Sequence, residues 1–311
     1  MRLVRTYTPD GEPVRPCVAT IGFFDGVHRG HRYLIEQVLH AASERGLAAA
    51  VVTFPVHPRH VMDAAYNPGM VSTCEEKVQL LAGTGLDYCL MVDFDSHVAQ
   101  MPARRFMEVM RACWNVRVLV VGYDHRFGHN RSEGFEDYVR YGRELGIDVL
   151  PARGYPCQVG GQRICSSYVR RLLHEGQVEL AAQCLGRPYL LAGTVVEGHR
   201  LGHTIGFPTA NLRPGDPDKI VPADGVYAVR AVLDGQEYGG MSCIGHRPTV
   251  DNGSERTIET YLFDYRGDAY GRGLALSFVC RTRSEQKFPS VEALSAQLRA
   301  DERQIRRLLG E

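Results

Sequence analysis

The sequence of 311 residues has no charge excess: 36 Lys plus Arg balance 36 Asp plus Glu. No overall field therefore draws the chain to nucleic acid or to an anionic membrane. Long apolar runs are also missing. Stretches such as 118–121 fall far short of the roughly 20 residues that a membrane-spanning helix needs. Nine cysteines, at 17, 74, 89, 113, 157, 165, 184, 243 and 280, include no C-x-x-C pair. An odd, scattered set excludes the dense disulfide framework of a small secreted domain and the paired-thiol metal or redox motifs. With no secretory leader pattern either, the thiols are expected to be reduced and the protein cytoplasmic. There are no internal repeats or low-complexity stretches. What is present is an apolar content of 44%, enough at this length for two hydrophobic cores. The balance points to a soluble protein that handles small molecules.

The first half is organised around Ile21-Gly22-Phe23-Phe24-Asp25-Gly26-Val27-His28-Arg29-Gly30-His31. Before it, Cys17-Val18-Ala19-Thr20-Ile21 has the look of a buried parallel strand. After it, Leu34, Ile35, Val38, Leu39 and Ala42 recur at helical spacing. The motif is then a strand-to-helix turn carrying three glycines and two histidines three residues apart. Amides at a helix start bind anions, and glycine lets a phosphate approach the main chain. Histidines there can donate to phosphate oxygens and stabilise charge that builds up in phosphoryl chemistry. Taken alone, the H-x-x-H pair also fits a plain turn with solvent-facing rings, or a metal site of Asp25, His28 and His31. The glycine framing shifts the balance to phosphate, because zinc needs its ligands and not glycines.

Strand-like runs at 17–22, 48–54, 88–94, 116–121 and 148–150 alternate with helix-like segments at 32–45, 73–82, 102–113 and 135–144. Ser72 or Thr73, followed by Glu75 and Glu76, marks a helix start. The alternation predicts an α/β, doubly wound parallel sheet with ligands beyond the carboxyl ends of its strands. Distinctive residues fall there. In Thr53-Phe54-Pro55-Val56-His57-Pro58-Arg59 two prolines fix a loop and exclude helix, so His57 and Arg59 project from a stiff turn. In Gly122-Tyr123-Asp124-His125-Arg126-Phe127-Gly128-His129-Asn130-Arg131, Asp124 could accept from a sugar or amine, and Arg126 and Arg131 could pair with phosphate. In Ile164-Cys165-Ser166-Ser167-Tyr168-Val169-Arg170, Ser166 or Ser167 would cap a helix whose hydroxyls, amides and Arg170 form a second phosphate cradle. Taken alone, the first of these reads better as a plain loop, and the other two fit a solvated loop or a simple cap equally well.

A short helix at 177–185 is broken by Gly186-Arg187-Pro188-Tyr189, and the pattern then changes. Short β-rich runs follow at 190–196, 225–233, 237–244, 257–263 and 274–280, with Asp234-Gly235 as a hairpin signal. They predict a small antiparallel β-barrel, closed by a C-terminal helix at 291–309. Within it, Gly198, Gly202 and Gly206 precede Phe207-Pro208-Thr209-Ala210-Asn211, read as a mobile loop ending in two neutral oxygen donors of a kind that suits Mg²⁺. Spacing alone favours a plain glycine-rich hairpin connection.

The G-x-F-D-G-V-H-x-G-H run resembles the HxGH-type nucleotidyltransferases, in the form carried by bacterial FAD synthetases. Their F-x-P-H-P, G-x-D-F-x-F-G and S-S-T-x-I-R patterns are met in order, with departures at Val56, His125, Cys165 and Ser167. G-F-P-T-A-N is close to a fingerprint of riboflavin kinases. The Pro222 to Tyr227 and Ile244 to Thr249 stretches, Thr257-Ile258-Glu259, Tyr270-Gly271 and Glu285 to Phe288 also match, with His203 departing. Together they resemble the bifunctional bacterial riboflavin kinase/FMN adenylyltransferases, with residues 1–185 as a nucleotidyltransferase domain and 186–311 as a kinase domain.

The resemblance implies phosphorylation of riboflavin by ATP to FMN, then adenylyl transfer from ATP to FMN, giving FAD and pyrophosphate. It implies His28, His31, Ser166, Ser167 and Arg170 at the reacting phosphates. Gly22, Phe24, Asp25, Gly26, Gly30, His57, Asp124 and Arg126 would bind nucleotide or flavin. In the second half Gly198, Gly202, Gly206 and Arg247 would bind, Thr209 and Asn211 would hold Mg²⁺, and Glu259 would be the base. Riboflavin, FMN and ATP are the implied partners, with no nucleic acid and no membrane. Two rivals remain: an enzyme active in one half-reaction only, and a flavin- or nucleotide-binding regulator without turnover.

Overall fold

The computed structural model describes residues 1–5, 14–63, 66–122, 125–198, 206–248 and 254–311. They group into two compact units, Met1–Pro68 with Ser72–Gln158, and Gly69–Val71 with Val159–Glu311.

The first unit holds β1 (Arg2–Val4), β2 (Cys17–Ile21), β3 (Ala48–Thr53), β4 (Tyr88–Met91), β5 (Val116–Gly122) and β6 (Asp148–Ala152). They pair in parallel in the order β1-β4-β3-β2-β5-β6. Strands β2, β3 and β4 are buried at every residue, as strands covered on both faces must be. Alternation sends Val18 and Val51 to one face and Ala19 and Val52 to the other. Helices α1 (Arg29–Arg45) and α3 (Cys74–Ala82) bring Ile35, Val38 and Leu81 to the first face. Helices α5 (Ala103–Cys113) and α6 (Phe135–Leu145) bring Phe106, Met107, Met110 and Tyr138 to the second. The sheet is therefore doubly wound, as expected. Strand order runs outward both ways from β2, with β3 on one side and β5 on the other. The turn leaving β2 and the loop leaving β5 thus lie at the switch point, where such sheets take their ligands.

Three local readings change. The 53–59 segment is not helix-free: Pro58 opens the short α2 (Pro58–Met62), with His57 as its N-cap. Proline at the first helical position loses no hydrogen bond there and brings the right φ. The short α4 (Ser96–Ala99) is additional, capped by Asp95. Of the two hydroxyls offered for the start of α3, Thr73 is the cap. It exchanges hydrogen bonds with Glu76 in a complete capping box.

In the second unit, after the two-residue strands β7 (Gln158–Val159) and β8 (Gln162–Arg163), come α7 (Ser166–His174) and α8 (Val178–Leu185). The latter ends at Gly186, whose φ of 74° makes the left-handed stop. Strands β9 (Tyr189–Val196), β10 (Ala210–Pro214), β11 (Gly225–Leu233), β12 (Gln236–Pro248), β13 (Ser254–Leu262) and β14 (Gly273–Arg283) close an antiparallel barrel. Asp234 and Gly235, both at positive φ, form the two-residue link between β11 and β12, with Leu233 opposite Gln236. Helix α9 (Val291–Leu309) starts on a Ser290 cap and packs Ile305 and Leu309 against Val226, Ala228, Met241 and Phe263. The Leu173 carbonyl accepts from the Ala223 N–H, and the Glu179 carboxylate from the Arg281 N–H. These bonds group α7 and α8 with the barrel by contact. One expectation is corrected here. The stretch read as a mobile loop up to Asn211 enters a strand at Ala210, so Asn211 is a barrel residue, in register with Glu259 and Val196.

Candidate active sites

The turn leaving β2 is strained. Phe24, Gly26 and Val27 have φ of 57°, 72° and 39°, a region that costs non-glycine residues on the order of 1–2 kcal/mol. Strain of this kind persists where surrounding bonds over-determine it. Here the determinant is Ser72. Its hydroxyl accepts from the Gly26 N–H at 2.8 Å and donates to Asp25 Oδ1 at 3.2 Å, and its N–H donates to the same oxygen at 2.9 Å. Asp25 and Ser72 are both buried.

The turn delivers His28 as the N-cap of α1. Its Nδ1 accepts the His31 N–H at 3.2 Å, which places the proton of the neutral ring on Nε2, a donor suited to a phosphate oxygen. The His28 and His31 rings stack, with centroids 3.6 Å apart and planes 13° from parallel. Burial, with His28 and Lys77 beside it, holds His31 well below the usual imidazole range. Its Nδ1 is buried without a hydrogen-bond partner among the described residues. Gly30 sits in the first turn of α1, whose leading amides have no intrahelical acceptor. Gly22 precedes the turn, and a Cβ there would lie 3.2 Å from the Phe24 ring.

His57 caps α2 by accepting the Arg59 N–H on Nδ1 at 3.1 Å, and its ring meets Phe23 edge-on at 4.8 Å. The segments leaving β2 and β3 are therefore brought together. After β5, Tyr123 and Asp124 lie outside the described residues. Phe127 is buried and stacks on Tyr138 at 4.2 Å, while its N–H donates to the Tyr138 hydroxyl at 2.9 Å. This anchors the loop that carries Arg126, whose Nη1 donates to the His125 carbonyl at 3.1 Å.

Ser166, Ser167 and Arg170 belong to the second unit. The N-cap of α7 is Cys165, with no side-chain capping bond; Ser166 and Ser167 are its first two helical residues. The expected serine cap is thus displaced by one position, and both hydroxyls sit in the first turn. Arg170 is buried, one turn further on.

In the barrel, Thr209 Oγ1 donates to Glu259 Oε2 at 3.1 Å, and Asn211 pairs in register with Glu259 across β10 and β13. Asn211 is buried. A Cβ on Gly198 would lie 2.2 Å from its amide nitrogen, so glycine there is what admits the Asn211 side chain. Gly206 has a φ of 83°. Phe207 is buried and packs edge-on against Tyr261 at 5.2 Å, which fixes the strand entry that places Thr209. Three neighbours of one kind result: a hydroxyl, an amide and a carboxylate, all offering oxygen. Gly202, His203 and the Arg247 side chain lie outside the described residues. Among the described residues there is no group of three or more His, Cys, Asp or Glu placed to hold a metal ion.

The FAD synthetase family profile matches residues 11–168, and the riboflavin kinase profile matches residues 185–309. The chain is 37% identical over 313 residues to the bifunctional riboflavin kinase/FMN adenylyltransferase of Escherichia coli strain K12, spanning 100% of this chain and 98% of that one. It is 34% identical over 298 residues to the like-named protein of Bacillus subtilis strain 168, spanning 92% and 90%. This chain belongs to the bifunctional riboflavin kinase/FMN adenylyltransferase family. A crystal structure described as a macrolide-efflux protein from Streptococcus pneumoniae also superposes, with a TM-score of 0.87, 31% identity and 98% of each chain covered.

Two residues of the adenylyltransferase-like half escape a reading by motif. Ser72 acts on Asp25 and Gly26 across more than 40 residues of sequence, which no local pattern reveals. Lys77 left a signal: it occupies a position of α3 that points inward with Leu81, and only 2% of it is exposed.

Proposed function

We infer that the chain makes FAD from riboflavin in two ATP-dependent steps. Riboflavin receives the γ-phosphoryl group of one ATP, giving FMN and ADP. FMN then receives AMP from a second ATP, giving FAD and pyrophosphate. What supports this most is that one chain carries both family profiles and aligns over nearly its whole length with bifunctional relatives. We assign residues 1–185 to adenylyl transfer and 186–311 to phosphorylation.

In the phosphorylation step Glu259 is the base. It is held by the Thr209 hydroxyl and accepts the ribityl 5′-hydroxyl proton as that oxygen attacks the γ-phosphate. The all-oxygen set of Thr209 and Asn211 fits Mg²⁺, a hard cation that prefers such donors. When bound, Mg²⁺ supplies charge neutralisation at the transferring phosphate. Gly198 and Gly206 would lie against the phosphates, and Arg247 would pair with them.

In the adenylylation step the FMN phosphate is itself the nucleophile, so no covalent enzyme intermediate is needed. The chain's contribution is orientation and charge stabilisation. His28 donates from Nε2 to a phosphate oxygen, and His31 stacks behind it as an uncharged partner. Gly22, Phe24, Gly26 and Gly30 shape the turn, and Asp25 keeps it closed on Ser72. His57, Asp124 and Arg126 contact nucleotide or flavin, while Ser166, Ser167 and Arg170 take the pyrophosphate. The nine cysteines are free thiols, and among the described residues no helix is long and apolar enough to cross a membrane. A reducing, ATP-supplied cytoplasm suits both reactions.

The two half-reactions are tested separately, each with ATP and Mg²⁺: FMN and ADP from riboflavin, and FAD and pyrophosphate from supplied FMN. Both products are expected. One product alone reduces the reading to a single-function enzyme, and neither product leaves a flavin- or nucleotide-binding protein.

A further inference from the structure

Lys77 is a charged side chain on the buried face of α3, 2% exposed. Among the described residues no carboxylate forms an ion pair with it. Its Nζ donates to the Phe54 carbonyl at 2.5 Å and lies 4.1 Å from the centroid of the Phe23 ring. Taking an ammonium out of water costs several kcal/mol, and a single neutral acceptor and one ring face offset only part of that. A hydrophobic residue would fill the position at lower cost, so packing alone does not account for a lysine there.

Its contacts join the two strand exits that build the histidine site. Phe54 follows β3 and leads through Pro55 to His57. Phe23 follows β2, opens the strained turn, touches the His57 ring, and through its carbonyl accepts from the Thr53 hydroxyl at 3.1 Å. We propose that Lys77 is a positioning residue for adenylyl transfer, its buried ammonium locking the exits of β2 and β3 together so that His28, His31 and His57 face one nucleotide in one arrangement. This rests on the FMN adenylylation reading above.

The charges around it agree. Burial, the largest influence, lowers Lys77 to about 8, and the nearby Asp25 carboxylate of the turn acts against it by favouring the ammonium. Lys77 remains a cation at neutral pH. Beside it, His31, which also faces His28, is kept uncharged. Lys77 thus presents a fixed positive charge behind the phosphate-facing rings without any of them having to take up a proton.

Lys77→Met keeps the length and removes the charge. In the full chain, kcat for FAD formation from FMN is expected to fall about tenfold or more with KM for ATP within about twofold, the pattern of a lost transition-state arrangement. Riboflavin phosphorylation stays within about twofold, and His31, followed by NMR of its ring, titrates higher by about half a unit or more once the neighbouring cation is gone. An unchanged FAD rate overturns the proposal. So does a slower rate with an unshifted His31 titration, which marks a packing defect alone. Should the variant not fold, Lys77→Gln takes its place, keeping a donor for the Phe54 carbonyl without the charge: a loss of about tenfold in FAD formation supports the proposal and an unchanged rate overturns it. If the unmutated chain makes no FAD, it is the adenylylation reading that falls, and the His31 titration still tests the Lys77 arrangement.

Discussion

His28 accepts the His31 N–H through Nδ1 and so carries its neutral-ring proton on Nε2. A capping bond thereby sets the tautomer that the proposed phosphate contact requires. His28→Ala removes both, and kcat/KM for FAD formation is expected to fall roughly 10²–10³-fold, the scale of losing one charge-stabilising donor. A fall below about threefold would end that role. Glu259→Gln is expected to slow riboflavin phosphorylation by about 10² or more, as loss of a general base does, with FAD formation from supplied FMN unaffected. The thiols test the burial pattern. Burial pushes Cys17 and Cys89 up to about 12, whereas Cys157 and Cys165 are exposed. Brief alkylation of the folded protein at pH 8, mapped by mass spectrometry, should label Cys157 and Cys165 and leave Cys17 and Cys89 unmodified. His31 adds a pH dependence with a definite sign. The unfolded chain takes up a proton at this ring near pH 6.5 while the native turn resists it. The first unit should accordingly lose stability as pH falls through 6.5, read as a lower urea midpoint at pH 5 than at pH 7.

Two adjacent hydroxyls at the head of α3 have different jobs. Thr73 completes a capping box, and Ser72 clamps the turn after β2. Thr73→Ala is expected to cost about 1 kcal/mol in denaturant unfolding, as N-cap losses do, with little change in FAD formation. Ser72→Ala is expected to cost about 1–3 kcal/mol, because it strips a hydroxyl bonded to a buried amide and a buried carboxylate. It should also reduce FAD formation well beyond that of Thr73→Ala; equal rates would separate the clamp from the chemistry. The same pair shows what the sequence discloses. The segments β2 and α9 are legible to within a residue, and α1 to within three at its start, because burial imposes their apolar spacing. Strand β1 was not, having three residues and one buried side chain. Strand β10 was hidden behind Gly206 and Pro208, whose turn character outweighs five residues of strand. Pro58 reads as a breaker in the sequence and starts a helix in the structure. His28, Thr209 and Asn211 stand out in the sequence because they lie in runs that resemble family motifs. Ser72 does not, because its partners are remote in sequence and fixed only by the sheet, and Lys77 shows only through its inward spacing with Leu81.

At the scale of the whole molecule, the histidine turn and the Thr209–Glu259 pair lie in different compact units. The parallel sheet presents the two-histidine turn at its switch point, and the barrel gathers Thr209, Asn211 and Glu259 at the pairing of β10 with β13. Because the product of one reaction is the substrate of the other, damage to either site should leave a diagnostic flavin. His28→Ala supplied with riboflavin should stop at FMN. Glu259→Gln should make FAD when FMN is given and very little when riboflavin is given. The measurement that tests the central claim most directly is a time course of flavins, separated by chromatography, after the unmutated protein meets riboflavin, ATP and Mg²⁺. FMN rising first and FAD following at its expense is the predicted result. Riboflavin left unconverted, together with no FAD from added FMN, would contradict it.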